Sequence, residues 1–258
     1  MGASLTHDLT TIAAMVRRSA NELIRVPGAA IPGVLAPTIF FLGLTSVFGS
    51  LTLLPGFDAS SYKSFIIPVS MLQGAGFTGA AAGVNLARDI EIGLFDRFLA
   101  SPAPRWALLT GVVLSASIRS LIPATVLLTV ALAVGADFPG VGGIAIAYAA
   151  VMGMAVVAAC WGATLALRYK TQAAAPLMQS AMLALILSTT AYAPQDLLTG
   201  WLATVARINP ITHVVDAARQ GFIGSITWAG TWPAIVAIAG FTIVLGAFAL
   251  RGMRRTAY

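Results

Sequence analysis

Ala87-Arg88-Asp89-Ile90-Glu91-Ile92-Gly93-Leu94-Phe95-Asp96-Arg97-Phe98-Leu99-Ala100-Ser101-Pro102-Ala103-Pro104-Arg105 interrupts a chain that is otherwise largely apolar. The segment gathers both signs of charge and two prolines, and it holds three of the nine acidic residues. Long apolar stretches flank it on either side. Of the 258 residues, 58% are hydrophobic and 9% charged, whereas a soluble domain carries about 25% charged residues. The chain therefore reads as a polytopic membrane protein, and the charged break reads as the surface on which something docks.

A helix needs about 20 apolar residues to cross the hydrocarbon core. Six stretches meet that need: 29–54, 64–86, 107–134, 141–167, 174–193 and 229–250. They predict one all-α transmembrane domain over 1–258 with six spans. With the amino terminus inside, twelve Lys and Arg residues fall on the inner side: Arg17, Arg18, Arg25, Arg88, Arg97, Arg105, Arg119, Arg168, Lys170, Arg251, Arg254 and Arg255. Three, Lys63, Arg207 and Arg219, fall outside. That asymmetry obeys the positive-inside rule and places both termini in the cytoplasm. The net charge of +6 is thus a topology signal and gives no support to nucleic-acid binding. Cys160 is the lone cysteine, so no intrachain disulfide is expected. Asp8, Arg17, Arg18, Glu22 and Arg25 leave no compact apolar run near the start, so no cleavable signal peptide is expected either.

Residues 5–26 form a further expected helix. Leu5, Leu9, Ile12, Val16, Ala20 and Leu23 recur at helical steps, with Asp8, Thr11, Arg18, Glu22 and Arg25 on the other side. Such a helix lies in the cytoplasmic interface or packs as a soluble helix on a partner. Pro27-Gly28 then turns the chain into the membrane. In the second span, Gly79 and Gly83 are spaced for close helix approach, within the bundle or across a dimer. Residues 194–224 are too apolar for a plain linker. Leu197, Leu198, Trp201, Leu202, Val205 and Ile208 form one helical stripe that stops at Asn209-Pro210. A second helix follows from Ile211 to Gln220. These are read as two short helices dipping into the outer leaflet, with Asp216 able to pair with Arg219 or His213.

The absent chemistry is equally informative. There is no G-x-x-x-x-G-K-[ST] loop, and the lysines are only Lys63 and Lys170, so the chain has no phosphate-binding loop of its own. His7 and His213 are far apart and lack a cysteine partner, so no metal site can be drawn. No H-E-x-x-H or G-x-S-x-G motif occurs. The spans hold no carboxylate for ion coupling, which disfavours a secondary carrier. Their one charge is Arg119, either near the inner interface or deep in the third span. Uncharged polar groups, among them Thr45, Gln73, Thr78, Asn85, Gln179, Thr189 and Thr190, are candidates to line a substrate pathway.

Two stretches carry a resemblance. Asp89-x-Glu91-x-Gly93-x3-Arg97-Phe98-x3-Pro102-x2-Arg105 is similar to an acidic-Gly-x-x-Asp-Arg-x-x-x-x-Pro segment, and Asn209-Pro210-Ile211-Thr212-x-Val214-Val215-Asp216-x-x-Arg219 to an Asn-Pro-Leu-Thr element. Together with the span pattern they resemble the permeases of type-2 ATP-binding-cassette exporters, of the daunorubicin-resistance type. The resemblance implies a non-enzymatic subunit of an exporter in a prokaryotic cytoplasmic membrane. It would move a lipid, glycolipid or hydrophobic drug, or as a variant a polysaccharide. A non-transporting membrane scaffold is the remaining alternative. ATP and Mg would be bound by a separate ATPase subunit, and a second permease chain, identical or related, would complete the pathway. Segment 87–105 would be the coupling helix, with Asp89, Glu91, Gly93, Asp96, Arg97, Phe98 and Pro102 as its working residues. The alternative is a solvated loop that only enforces topology. Trp201, Asn209, Pro210, Asp216 and Arg219 would form an outer gate, or else a lid that only closes the bundle.

Overall fold

The computed structural model describes residues 2–25, 31–55, 57, 59, 61–100 and 103–255. Among them the chain is helical: α1 (Gly2–Arg25), α2 (Ile31–Phe48), α3 (Tyr62–Glu91), α4 (Leu94–Leu99), α5 (Arg105–Arg119), α6 (Leu121–Ala133), α7 (Gly140–Tyr169), α8 (Ala175–Leu187), α9 (Gly200–Ile208), α10 (Ile211–Ile223) and α11 (Trp228–Arg255). The expected turn at Pro27-Gly28 lies outside the described residues.

Five runs are long and apolar enough to cross a membrane: Gly33–Leu53, Tyr62–Glu91, Arg105–Ala133, Gly140–Tyr169 and Trp228–Arg255. The expected span at 174–193 is a shorter apolar helix, Gln172–Leu187. It stops where three hydroxyl residues follow one another. Ser188 Oγ donates to the Leu185 carbonyl and Thr189 Oγ1 to that of Ile186 at 2.6 Å. Such side chains compete with the backbone for helix bonds, and a run of three ends the helix. Ser120 acts similarly between α5 and α6, where its Oγ donates to the Ser117 carbonyl.

The bundle is arranged around α3, whose apolar window is 83% buried, against 11% for those of α2 and α11. α7 runs parallel to α3 along a seam of small residues. A Cβ built on Gly79 would lie 2.5 Å from the Ala155 carbonyl, and one on Gly83 would lie 2.4 Å from Gly162 Cα. The Gly79/Gly83 pair therefore serves packing within one chain. Ile238, Leu245 and Gly252 of α11 lie in turn beside Gly153, Thr164 and Leu167 of α7, so α11 runs in the same direction. α8 runs the opposite way along α3, from Glu91 at one end to the level of Phe65 at the other. On α1, Met15 packs against Gly111 of α5. Leu9 stays 63% exposed while Met15, Ser19 and Glu22 turn inward, so this helix rests the border of its apolar and polar faces on the bundle.

Candidate functional site

Charge collects at the carboxy-terminal end of α3. Gly93 takes φ +70°, the left-handed conformation that glycine adopts without strain, and so ends α3 and starts α4. Phe95 is buried and anchors the short helix, with Phe98 half-buried beside it. Asp96 and Arg97 are exposed, and their side chains make no hydrogen bond or ion pair among the described residues. Pro102 lies outside the described residues.

The other two acids of the segment are engaged within the chain. Asp89 accepts both Nη1 and Nη2 of Arg18, at 2.8 and 2.7 Å. This bidentate geometry is the strongest form of such a pair, and it raises the pKa of Arg18 above its ordinary value against the opposing effect of burial. The same guanidinium lies 5.3 Å from the centroid of Phe98. Arg18 thus clasps α1, the end of α3 and α4 together. Glu91 accepts three hydrogen bonds: Thr171 Oγ1 at 2.7 Å, the Gln172 N–H at 2.9 Å and Gln172 Nε2 at 2.7 Å. It thereby holds the start of the helix 172–187.

Arg119 closes this end from α5. It donates from Nη1 to Ser19 Oγ of α1 at 3.0 Å, while its Nε is buried without a partner. From the α5–α6 break its side chain reaches toward α1 and shares a cavity lining with Arg18, Glu22 and Asp89. A cavity of about 50 Å³ lies among α1, α3, α4, α5 and α11, bounded by Arg18, Glu22, Asp89, Arg119 and Phe95. That volume has room for a few waters.

At the other end the Asn209-Pro210-Ile211-Thr212 motif closes three helix ends. Asn209 Nδ2 donates to the carbonyls of Leu185 and Ser188, at 2.8 and 3.2 Å, which lie at the end of α8. Its Oδ1 accepts the Ile211 N–H at 3.0 Å and caps α10. Thr212 Oγ1 donates to the Ala206 carbonyl at 2.6 Å, in the last turn of α9. Each bond satisfies a group that a helix terminus leaves open.

Arg219 on α10 is only 3% exposed. Its Nε donates to the Phe65 carbonyl at 3.1 Å and its Nη2 to the Thr190 carbonyl at 3.0 Å. The guanidinium lies 3.7 Å from the centre of the Phe65 ring, within cation–π range. Asp216 lies 3.5 Å from Arg219 Nη1 and accepts the Thr190 hydroxyl at 2.9 Å. His213 is exposed and is not among the partners of Asp216. Tyr62 Oη donates to the Tyr192 carbonyl at 3.2 Å. The turn 188–192 is thus the point on which α3, α8 and α10 converge. A cavity of about 450 Å³ opens beside it, lined by Phe65, Thr190, Asp196, Asp216, Arg219 and Gln220. Trp201 stands apart from this network, 74% exposed on α9.

The polar residues of the spans do not converge on one cavity. Thr45 and Thr189 return their hydroxyls to their own backbone, at Leu42 and Ile186. Gln73 is buried on α3, and Thr78 sits against Gly33 of α2. Asn85 lines the small cavity at the charged end, and Gln179 is half-buried on α8. Sequence reasoning missed Arg18, Thr171, Gln172, Phe65 and Tyr192 as participants. Thr171 alone carried a local signal, as the hydroxyl residue that caps the turn 172–174. Among the described residues no three His, Cys, Asp or Glu side chains group to hold a metal ion.

The family described as ABC-2 type transporter matches residues 10–223. The "Probable multidrug ABC transporter permease YbhR" of Escherichia coli K12 is 28% identical over 190 residues, covering 69% of this chain and 50% of that protein. The chain thus spans about half the length of that relative. The "Daunorubicin resistance ABC transporter permease protein DrrB1" of Streptomyces coeruleorubidus is 26% identical over 238 residues, covering 90% of this chain and 78% of the relative. The "Probable doxorubicin resistance ABC transporter permease protein DrrC" of Mycobacterium tuberculosis is 25% identical over 247 residues, covering 93% and 86%.

Proposed function

We propose that this chain, which belongs to the ABC-2 type transporter family, is the transmembrane subunit of an ATP-driven exporter of hydrophobic or amphiphilic compounds. Names of relatives that speak of multidrug, daunorubicin and doxorubicin resistance support that substrate class. The reaction is transport. ATP and Mg belong to a separate ATPase subunit, and a second permease chain completes the pathway. The protein resides in the cytoplasmic membrane of a prokaryote with both termini inside. The stretch 174–193 is read as the fifth of six crossings, supported by its course along α3 from Glu91 to the level of Phe65.

One observation carries the coupling role: α4 is anchored by Phe95 and clasped by Arg18, yet presents Asp96 and Arg97 unpaired to water. A helix that only enforced topology would need no anchor. In this reading Asp96 and Arg97 contact the ATPase, while Asp89 and Glu91 fix the segment to its neighbours. Closure of the ATPase dimer on ATP would move α4 and, through the bundle, the outer helices α9 and α10. The test is co-purification with the ATP-binding-cassette ATPase of its operon. Asp96→Lys with Arg97→Glu is expected to abolish association while the permease still folds. Unchanged association removes α4 from the docking surface.

A further inference from the structure

α8 is tied firmly at its two ends and only softly along its length. At its start, the Glu91 carboxylate takes the Thr171 hydroxyl, the Gln172 N–H and the Gln172 amide. A carboxylate at a helix start also meets the positive end of the helix dipole. At its finish, the Asn209 amide takes the Leu185 and Ser188 carbonyls and the Ser188 hydroxyl. Between those points the buried side chains of α8 are Met178, Met182 and Ile186. They meet α3 near Gly76, where a Cβ would lie 3.3 Å from Ile186 Cδ1 and 3.6 Å from Met182 Cβ. Apolar contacts of this kind are non-directional, and methionine adapts its shape to its surroundings.

α3 cannot slide in the same way. Its backbone is interlocked with α7 at Gly79 and Gly83, where no gap remains for a methyl group. Two turns of α3 lie beyond that seam and end in Glu91, so a push there is passed to the helix that Glu91 holds. A helix over 172–187 is about 24 Å long at about 1.5 Å per residue, and it transmits axial displacement without stretching.

We infer that α8 is the strut that carries motion from the docking segment to the outer helices, with Glu91 and Asn209 as its two fasteners. This rests on the docking and gating reading above. Glu91 and Asn209 are positioning residues: neither touches ATP, and neither needs to touch the transported compound. Glu91 lies two residues before the Gly93 turn into α4, so a displaced α4 pulls on it directly. Asn209 holds α10 through the Ile211 N–H with the same side chain that holds α8. Movement of α8 thus reaches both short helices at their junction.

The test uses the permease–ATPase complex in nanodiscs, with spin labels on cysteines at the exposed positions Trp201 and Trp228. Distances are measured with and without ATP-vanadate, and ATPase retention is measured on the same samples. The wild-type background is expected to shift on nucleotide binding. Glu91→Gln is expected to keep the ATPase bound and the nucleotide-free distance unchanged, and to lower the population of the shifted state about tenfold. Asn209→Asp, which keeps the acceptor for Ile211 but loses the amide donors, is expected to do the same, and the double variant to do no more than either single one. A full shift in Glu91→Gln with the ATPase bound overturns the strut and leaves the docking reading intact. A wild-type complex that binds its ATPase but shows no shift overturns the gating reading and the strut with it.

Discussion

Replacing Gly83 by alanine tests whether the α3–α7 seam sets the geometry on which everything else hangs. A Cβ there would lie 2.4 Å from both Cα and C of Gly162, where ordinary contact begins at 3.4 Å. The helices must therefore part by about 1.0 Å, the difference between those two distances. The obstacle is backbone on a facing helix, so no side-chain rotation can relieve it. Overpacking a tight interior costs about 1–3 kcal/mol, and a purely backbone clash belongs at the top of that range. Alanine returns about 1 kcal/mol of helix propensity over glycine. The net expectation is a loss of about 2 kcal/mol, read from SDS-titration unfolding in mixed micelles. Gly240→Ala is the matched control: it lies in α11 with nothing within 4 Å of its built Cβ. It is expected to be neutral or to gain up to about 1 kcal/mol. If Gly83→Ala unfolds at the same SDS fraction as Gly240→Ala, the seam is not the rigid reference of the bundle.

Two further substitutions separate buried from exposed charge. Arg219→Ala removes a cation that is only 3% exposed, strips the Thr190 carbonyl of its donor and leaves a void against Phe65; it is expected to cost about 3–5 kcal/mol, whereas Asp216→Asn, with its side chain 49% exposed, is expected to cost under about 1 kcal/mol in the same unfolding titration. Arg18→Met breaks a partly exposed pair and is expected to cost about 1 kcal/mol, but to raise amide exchange over residues 8–22 and 94–99 together, because one guanidinium clasps both helices.

The membrane class, the charged break and the Asn-Pro-Ile-Thr element were legible in the sequence because each is written in contiguous residues. Composition marks the spans, glycine marks the turn at 93, and the proline after Asn209 marks the junction of α9 and α10. What stayed hidden were partners far apart along the chain. Arg18 and Asp89 are 71 residues apart, and Glu91 lies 80 and 81 residues from its donors. Nothing local to Asp89 or Glu91 distinguishes a carboxylate that binds a neighbouring helix from one that waits for another protein. The premature end of α8 was hidden for a different reason. Ser188, Thr189 and Thr190 are only mildly polar, so the apolar stretch runs through them, while the hydroxyls of Ser188 and Thr189 turn back onto the carbonyls at 185 and 186 and stop the helix.

The far end of the bundle explains why a motif of four residues suffices for a junction of three helices. A buried helix terminus has no water at hand to satisfy its open groups, so side chains must do it. Asn209 carries a donor and an acceptor on one short side chain and closes the end of α8 and the start of α10 at once. Pro210 removes an N–H that would otherwise need a partner and presets the first turn of α10. Thr212 reaches back to the last turn of α9. All of these bonds fall at helix ends, and none belongs to the interior of a helix. The three helices are therefore fastened to one another at their ends, by bonds that no helix interior has to supply.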